Sequence, residues 1–204
     1  MNDLMADIET FGNGKDKCIV QIGACYFDRV TGEIGATFKR NIDARSHMKY
    51  GAQIDADTVY WWLSQSPEAI ASVIAEPRED IKVVMSDLNE FLKDAKAIWS
   101  HLGFDFVTLS ETLKQLDIKP LFSFRAARDI RTLVDLGKVS TSDFNATRVL
   151  HHDSLDDCFT QVRYCVAALN KVSGRVEVNK RLKELEREVQ RLKEYEWRYN
   201  ELQK

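Results

Sequence analysis

Apolar residues follow two different spacings along the first 174 residues of the chain. Runs rich in β-branched, apolar and aromatic residues predict strands at residues 4–8, 19–27 and 34–42. The turn residues at 28–32 predict a hairpin between the second and third of these strands. A further short strand is predicted at residues 97–99. Three strands therefore stand at the start of the chain, before any long helix.

Later segments repeat apolar residues every three or four positions, which predicts helices. We expect these helices at residues 57–63, 66–74, 81–92, 106–116 and 155–169. Ser66 followed by Pro67 is typical of a helix start, and Ser154 is expected to cap the last of these helices. A hairpin followed by alternating helices and strands predicts an α/β fold with a mixed sheet and flanking helices.

The last thirty residues have a different pattern. They contain no proline and no glycine after Gly174, so we place a boundary there and expect a domain at 1–173 and a C-terminal amphipathic helix at 174–204. Apolar residues in this helix recur with heptad spacing, which predicts a coiled coil and a homo-oligomer. The alternatives are a different partner protein, or packing of the helix against its own domain with Trp197 in a groove. Leu182, Val189 and Glu196 share one heptad position, and Leu185, Leu192 and Tyr199 share the other.

Composition and charge narrow the class of protein. A hydrophobic fraction of 44% suits a folded core, and a net charge of −3 argues against a protein that coats nucleic acid through bulk positive charge. No apolar run approaches the ~18 residues of a membrane span, so we expect no membrane association. The four cysteines form no C-x-x-C pair, which favours reduced thiols and a cytoplasmic location.

Two acids interrupt the apolar run at the N-terminus. Asp7 and Glu9 are two positions apart, so on a strand they share one face. Two carboxylates there are unfavourable unless something neutralises them, and a divalent metal ion would do so. Alternatives are that one acid caps the following turn while the other is solvated, or that the two form the carboxylate pair of a glycosidase.

Two more acidic segments lie where helices are expected to start. Asp105 follows Gly103 and Phe104, and residues 151–157 contain two histidines and three acids. Each segment alone is an ordinary helix start, in which acids favour the helix dipole. Strand ends and helix starts can meet at one edge of an α/β sheet, however, and bring these acids together with the first pair.

Four carboxylates without a cysteine specify a site for hard cations, Mg²⁺ or Mn²⁺ rather than Zn²⁺. A pair of such ions stabilises the attacking and leaving oxygens in phosphoryl transfer. A histidine nearby can deprotonate the attacking water, because its ordinary pKa of about 6.5 suits that step near neutrality. The composition of the three segments therefore predicts a metal-dependent hydrolase of phosphate esters.

The order and spacing of these motifs resemble the DEDDh branch of 3′-5′ exonucleases in the ribonuclease-H-like superfamily. Further stretches resemble the phage exodeoxyribonuclease A type and its bacterial exoribonuclease relatives, and the resemblance covers residues 3–171. It implies a ribonuclease-H-like mixed sheet and removal of nucleoside 5′-monophosphates from nucleic acid 3′ ends. The motifs are Asp7-x-Glu9-Thr10, Gly103-Phe104-Asp105 and His152-x₄-Asp157, and the further stretches are residues 57–69, Arg128-Asp129-Ile-Arg131-Thr132 and residues 152–158.

The resemblance also implies roles for individual residues. Four acids would hold two ions, Mg²⁺ or Mn²⁺, and His152 rather than His151 would be the general base. Of two adjacent tryptophans, we expect one in the core and Trp62 in the substrate pocket. Arg128 and Arg131 are expected on one helix face. The metal ligands are Asp7, Glu9, Asp105 and Asp157, and the substrate contacts are Thr10, Phe11, Gly12, Trp62, Phe104, Arg128 and Arg131.

One departure and one rival interpretation remain. The commoner form of the branch has an asparagine before the Phe-Asp pair, where this chain has His101-Leu102-Gly103. The rival is a non-catalytic module that binds nucleic acid or protein through the C-terminal helix. Four acids that repel one another argue against that rival, because a module without catalysis has no physical reason to keep them together.

Overall fold

A six-stranded mixed sheet forms the centre of the molecule, in the order β4-β3-β2-β1-β5-β6. The computed structural model describes residues 1–202, with side chains for 1–146, 148–174, 178 and 180–195. β1 to β3 form an antiparallel meander, while β5 runs parallel to β1, β6 to β5 and β4 to β3. The strands are β1 (Asp3–Thr10), β2 (Ile19–Phe27), β3 (Ile34–Ile42), β4 (Arg78–Glu79), β5 (Ala97–Ser100) and β6 (Ala127–Asp129).

Helices cover both faces of the sheet, which confirms the predicted α/β class. Every helix expected in the first domain is present, with ends that differ from the expected ones by at most three residues. The apolar pattern did not predict α1, α6, β4, β6 or two 3₁₀ segments, because elements this short carry no clear periodic signal. The helices are α1 (Ala44–Met48), α2 (Ala56–Leu63), α3 (Pro67–Ile74), α4 (Ile81–Leu92), α5 (Asp105–Gln115), α6 (Ile130–Leu136), α7 (Ser154–Val172) and α8 (Arg175–Leu202), and the 3₁₀ segments are Phe124–Ala126 and Thr141–Thr147.

Alternation along β1 divides the core into two layers. Leu4 and Ile8 pack in the cluster that contains the buried residues of α4 and α5. Met5 packs in the second cluster, with α6 and α7. Asp7 and Glu9 follow Met5 at two-residue intervals, so the strand directs both acids toward the layer that contains α7.

Two expectations about local structure are wrong. Arg128 lies in β6 and Arg131 in α6, so they do not share a helix face. The first helical residue of α7 is Ser154, and Asp153 is the residue that caps it, with its side chain accepting from the backbone of Leu155 and Asp156. Both Ser and Asp cap helices well, so the sequence alone does not separate two adjacent candidates.

The C-terminal helix α8 follows α7 directly in the chain. Gly174 has a left-handed φ of 64° between α7 and the 28-residue α8. The apolar side chains of its heptad stripe are exposed, from 43% for Leu185 to 57% for Leu192. Glu196, Trp197 and Tyr199 lie outside the residues whose side chains are described. Within the described chain, no helix is long and apolar enough to cross a membrane.

Candidate active site

Four acidic residues from three elements meet in one cavity. Asp7 and Glu9 lie near the end of β1, Asp105 is the first residue of α5, and Asp157 is in the first turn of α7. β1 and β5 are parallel neighbours, so the acid on β1 and the helix start after β5 lie at the same edge of the sheet. The cavity has a volume of about 450 Å³.

The carboxylates are buried together, which changes their proton affinity. Burial, and then the charges of the neighbouring carboxylates, raises the pKa of Asp7 and of Glu9 well above their ordinary values. Burial also raises the pKa of Asp105 to about 7 and that of Asp157 to about 6. A cation is therefore needed to keep this cluster ionised, and an all-carboxylate set of oxygens fits a hard divalent ion.

Neighbouring groups hold the carboxylates in place. The Gln161 side chain donates to Asp7 Oδ1 at 2.7 Å, and the backbone N–H of His101 donates to Asp105 Oδ2 at 2.8 Å. Arg148 Nε lies 3.1 Å from Asp157 Oδ1. The guanidinium is therefore a positive charge inside the cleft, on the side of α7.

Ligand atoms in the cavity fall into two groups. Within each group, one ligand atom per residue lies within 4.8 Å of the others: Asp7, His101 and Asp105 form the first group, and Glu9, His152 and Asp157 form the second. The second group contains two predicted metal ligands, Glu9 and Asp157, and the predicted base, His152. Each group is large enough to surround one divalent ion, so the residues present fit a metal site.

His152 lies at the wall of the cavity in an uncommon backbone conformation. Its φ is 60°, a left-handed value that non-glycine residues rarely adopt and that often occurs at functional sites. The imidazole packs edge-on against Trp61, with ring centroids 4.8 Å apart. Burial, and then the positive charges of His151 and Arg148, lowers the pKa of His152 below its ordinary value. The ring is therefore neutral near pH 7, as a base must be.

The segment that carries His152 and Asp157 is fixed by contacts that sequence reasoning missed. Asp153 is buried and accepts hydrogen bonds from Lys39 on β3 and from Ser72 on α3. Gln21 Oε1 on β2 accepts the backbone N–H of Ser154 at 2.8 Å. These contacts join residues far apart in sequence, so no local sequence pattern predicts them.

A second cavity of about 450 Å³ adjoins the first at Glu9 and Phe104. Thr10, Gly12 and Phe104, three of the predicted substrate contacts, line it. Trp61, which is 43% exposed, also lines it. The other lining residues are Ile8, Asn13, Asp55, Asp57 and Thr58.

Trp61, and not the predicted Trp62, lines the second cavity. Trp62 is buried, and its indole Nε1 donates to the carbonyl of Thr10 at 2.8 Å, so it supports the turn after β1 from behind. Phe11 packs on it edge-on, with centroids 6.2 Å apart, rather than lining the second cavity. Adjacent residues on a helix point about 100° apart, so only the position of α2 against the sheet decides which tryptophan meets the cavity.

The two arginines expected at the substrate also differ. Arg131 lines the carboxylate cavity together with His101 and Tyr164. Arg128 lies at the surface, where its guanidinium donates to the carbonyls of Arg125 and Ala127. Arg131 therefore remains a candidate substrate contact, whereas the contacts of Arg128 are with the neighbouring backbone.

Lys17 is a further residue that sequence reasoning missed. Its ammonium group lies 4.6 Å from the centroid of the Phe104 ring and donates to Thr108 Oγ1 at 3.0 Å. A cation over an aromatic face is attractive, so Lys17 fixes the ring that separates the two cavities. Its sequence context, Gly14-Lys15-Asp16-Lys17, is that of a solvent-exposed loop and gives no sign of this burial.

Comparison with known proteins agrees with the geometry. The family model described as "3′-5′ exoribonuclease Rv2179c-like domain" matches residues 2–169. The exodeoxyribonuclease of Enterobacteria phage T4 is 24% identical over an alignment of 217 positions, which covers 85% of this chain and 92% of that protein.

Solved structures share the fold at low sequence identity. The nuclease domain of 3′hExo, a DEDDh family member bound to rAMP, superposes with a TM-score of 0.56 at 14% identity and covers 82% of this chain and 91% of that one. E. coli exonuclease I in complex with a dA16 oligonucleotide gives a TM-score of 0.58 at 12% identity, and the match spans 81% of this chain and 40% of that one. The fold is therefore that of ribonuclease-H-like exonucleases, as expected.

Proposed function

This chain belongs to the 3′-5′ exoribonuclease Rv2179c-like domain family, and on that premise we propose that its carboxylate cavity holds two divalent ions, Mg²⁺ or Mn²⁺. The chain is a 3′-5′ exonuclease and thus a metal-dependent phosphodiester hydrolase. In this proposal it releases nucleoside 5′-monophosphates. The observation that carries the proposal is the convergence of four buried carboxylates from three elements beside a neutral histidine.

Each group in the cavity has a distinct task in hydrolysis. Asp7, Glu9, Asp105 and Asp157 hold the divalent ions, which would stabilise charge on the attacking and leaving oxygens. His152 accepts a proton from the attacking water, because it is neutral and lies beside Glu9 and Asp157. Trp61 restricts the imidazole to this position by edge-on packing.

The terminal nucleotide occupies the second cavity in this proposal. Trp61 and Phe104 offer aromatic surfaces for an unpaired base, and stacking of this kind contributes about 1–3 kcal/mol per base. Gly12 permits close approach of the backbone beside the sugar. Arg148 and Arg131 line the cavity where the phosphate must lie, so their positive charges attract it.

Polar groups in the second cavity favour RNA over DNA. Asp57 and Thr58 line it and can hydrogen-bond the ribose 2′-hydroxyl, the group that separates the two nucleic acids. The family description also names a ribonuclease. We expect the ratio of kcat/KM for RNA over DNA to fall in Thr58→Val. A ratio that stays the same in this variant and in Asp57→Ala would refute the assignment.

We also propose that α8 associates with α8 of a second copy of the chain. Its stripe of Leu182, Leu185, Val189 and Leu192 is exposed along the described helix. A long isolated helix with an apolar stripe gains most of its stability by burying that stripe. The spacing has the narrow seam of a coiled coil rather than the broader face of a globular helix.

A cytoplasmic location is the remaining part of the proposal. All four cysteines are free and buried, and burial raises the pKa of Cys165 and Cys158 above the ordinary value. Thiols in this state suit a reducing compartment. Cell fractionation with an antibody to the chain tests this, and recovery only from an oxidising compartment would refute it.

Carboxylate variants test the metal site directly. We expect Asp7→Asn and Asp157→Asn to lose Mn²⁺ binding, measured by calorimetry, and turnover together. Asp156→Asn is the matched control, because Asp156 is adjacent in sequence but does not line the cavity. Full turnover in excess EDTA, or equal losses in Asp156→Asn and Asp157→Asn, would contradict the proposal. An inactive wild-type chain that binds the 3′ ends tightly would favour the rival binding module.

A further inference from the structure

His101 lies between the end of β5 and the start of α5, at the side of the cavity formed by Asp7 and Asp105. Its Nδ1 is 3.7 Å from Asp105 Oδ2, and its side chain is 26% exposed. One ring nitrogen and one oxygen from each of the two carboxylates lie within 4.8 Å of one another. An imidazole therefore faces the same small volume as two of the four carboxylates.

The backbone fixes His101 against Asp105. The N–H groups of Phe104 and Asp105 both donate to the His101 carbonyl at 2.8 Å, while the His101 N–H donates to Asp105 Oδ2. The imidazole thus belongs to the same tight turn as the carboxylate and does not depend on a mobile loop. This turn is a rigid support of the kind that metal ligands require.

Asp7, the other carboxylate of this group, is fixed as well. Gln161 is 97% buried, since its exposed fraction is 3%, and its amide nitrogen holds Asp7 Oδ1. Its Oε1 is buried and accepts no hydrogen bond from the described part of the chain. A buried amide oxygen without a donor is unfavourable, so this side of the cavity is built to meet a further group.

We propose that His101 is a nitrogen ligand of a divalent transition-metal ion held together with Asp7 and Asp105. The inference rests on the proposed function and makes the ion on this side of the cavity different from an all-oxygen magnesium site. Ligand atoms about 2.0–2.3 Å from one ion lie about 3–4.5 Å apart, which agrees with the spacing of the three side chains.

The ligand set predicts which metal this side prefers. Mg²⁺ takes oxygen ligands almost exclusively and loses its water reluctantly, whereas transition metals accept imidazole readily. A direct hydrogen bond between His101 and Asp105 does not account for the arrangement, because 3.7 Å is too long for one. We therefore expect Mn²⁺ to bind here more tightly than Mg²⁺.

Pulsed electron paramagnetic resonance of the full chain loaded with Mn²⁺ alone tests nitrogen ligation without substrate. We expect the spectrum to show modulation from a coordinated ¹⁴N. This modulation should disappear in His101→Asn and persist in His151→Gln, a neighbouring cavity histidine outside both groups. It should also persist in His152→Gln. Modulation that is absent from the wild type, or that survives in His101→Asn, would overturn the proposal.

Metal affinity gives an independent readout. In calorimetric titrations, His101→Asn should bind Mn²⁺ at least about tenfold more weakly than the wild type, a loss as large as that caused by removing a group that supports a metal ligand. The Mg²⁺ affinity of this variant should change little. Equal losses for both ions would indicate a general distortion and would refute the assignment. Because neither measurement needs nucleic acid, a chain without nuclease activity that still shows His101 ligation would refute the proposed function alone. The modulation must also differ between wild-type protein with ¹⁴N-histidine and wild-type protein with ¹⁵N-histidine. This comparison remains valid even if His101→Asn does not fold.

Discussion

At the scale of single residues, two adjacent histidines have different surroundings. His152 packs against Trp61 and belongs to the group with Glu9 and Asp157, whereas His151 lies at the surface beside Arg148. If His152 accepts the proton of the attacking water, His152→Ala should lose about 10²–10⁴ in kcat while substrate binding persists.

His151→Ala is the control for this prediction and should keep kcat within a few fold of the wild type. Single-turnover kinetics with excess protein separates the chemical step from substrate binding. Equal losses in the two variants, or a larger loss in His151→Ala, would show that the five-residue spacing before Asp157 identifies the wrong imidazole.

His47 supplies a pH effect away from the cavity. It is buried in α1, and its Nδ1 accepts the backbone N–H of Ile19 at 3.1 Å. Burial lowers the pKa of His47 to about 4, below the value near 6.5 that it has when unfolded. Its contribution to stability is therefore complete above pH 6.5 and is lost as the pH falls toward 4, by up to about 1.4 kcal/mol per pH unit.

We expect the free energy of unfolding in urea at fixed EDTA to fall over this pH window less steeply in His47→Asn than in the wild type. Asparagine can still accept from Ile19 N–H but does not titrate. A slope that is identical in the two proteins would show that His47 protonates equally in the folded and unfolded states.

The sequence identifies the acidic residues of the cavity more readily than its aromatic and basic residues. Acids on an apolar strand and at helix starts are conspicuous because isolated buried charge is unfavourable. The choice of Trp61 over Trp62, and the contribution of Lys17 and Arg148, depend on how elements pack in three dimensions. No spacing along the chain encodes those contacts.

At the scale of elements, the contact between β2 and the start of α7 positions the third motif. Gly23 in β2 is paired with Asp7 in β1. A Cβ added at Gly23 would lie 2.3 Å from the carbonyl carbon of Ser154 and 2.5 Å from Leu155 N. Only glycine lets the backbone of the helix start approach the sheet this closely.

Gly23→Ala should therefore push the start of α7, with His152 and Asp157, away from β1. We expect a loss of about 1–3 kcal/mol in stability, as for other overpacked sites, and a fall of about 10²-fold in kcat. Gly14→Ala is the control, because a Cβ there meets nothing within 4 Å. Unchanged melting temperature and turnover in Gly23→Ala would contradict this account of the helix position.

Long elements are predictable from this sequence and short ones are not. The bounds of β2 follow from its largely apolar run, and those of β3 from a nine-residue stretch that begins and ends with isoleucine after a turn signal. The 3₁₀ segment Thr141–Thr147, just before Arg148, has no periodicity because its residues are polar and its conformation depends on packing against α7.

At the scale of the whole molecule, we expect α8 to determine whether the chain is a monomer or an oligomer. The double variant Leu185→Glu with Leu192→Glu places charge in the exposed apolar stripe. We expect light scattering to show at least a dimer for the wild type and a monomer for this variant, with nuclease activity kept. Gln190→Glu adds one negative charge outside the stripe and should remain oligomeric. A wild-type chain that is monomeric at tens of micromolar would refute self-association.

Direction of degradation tests the central claim most directly. Single-stranded RNA labelled at its 3′ end and the same strand labelled at its 5′ end are incubated with the full chain and Mn²⁺. The 3′ label should appear at once as a mononucleotide, and the 5′ label should remain in a ladder of shortening products. Neither product should form when EDTA is present. Release of the 5′ label first, cleavage of a closed circle, or full activity in EDTA would contradict the account.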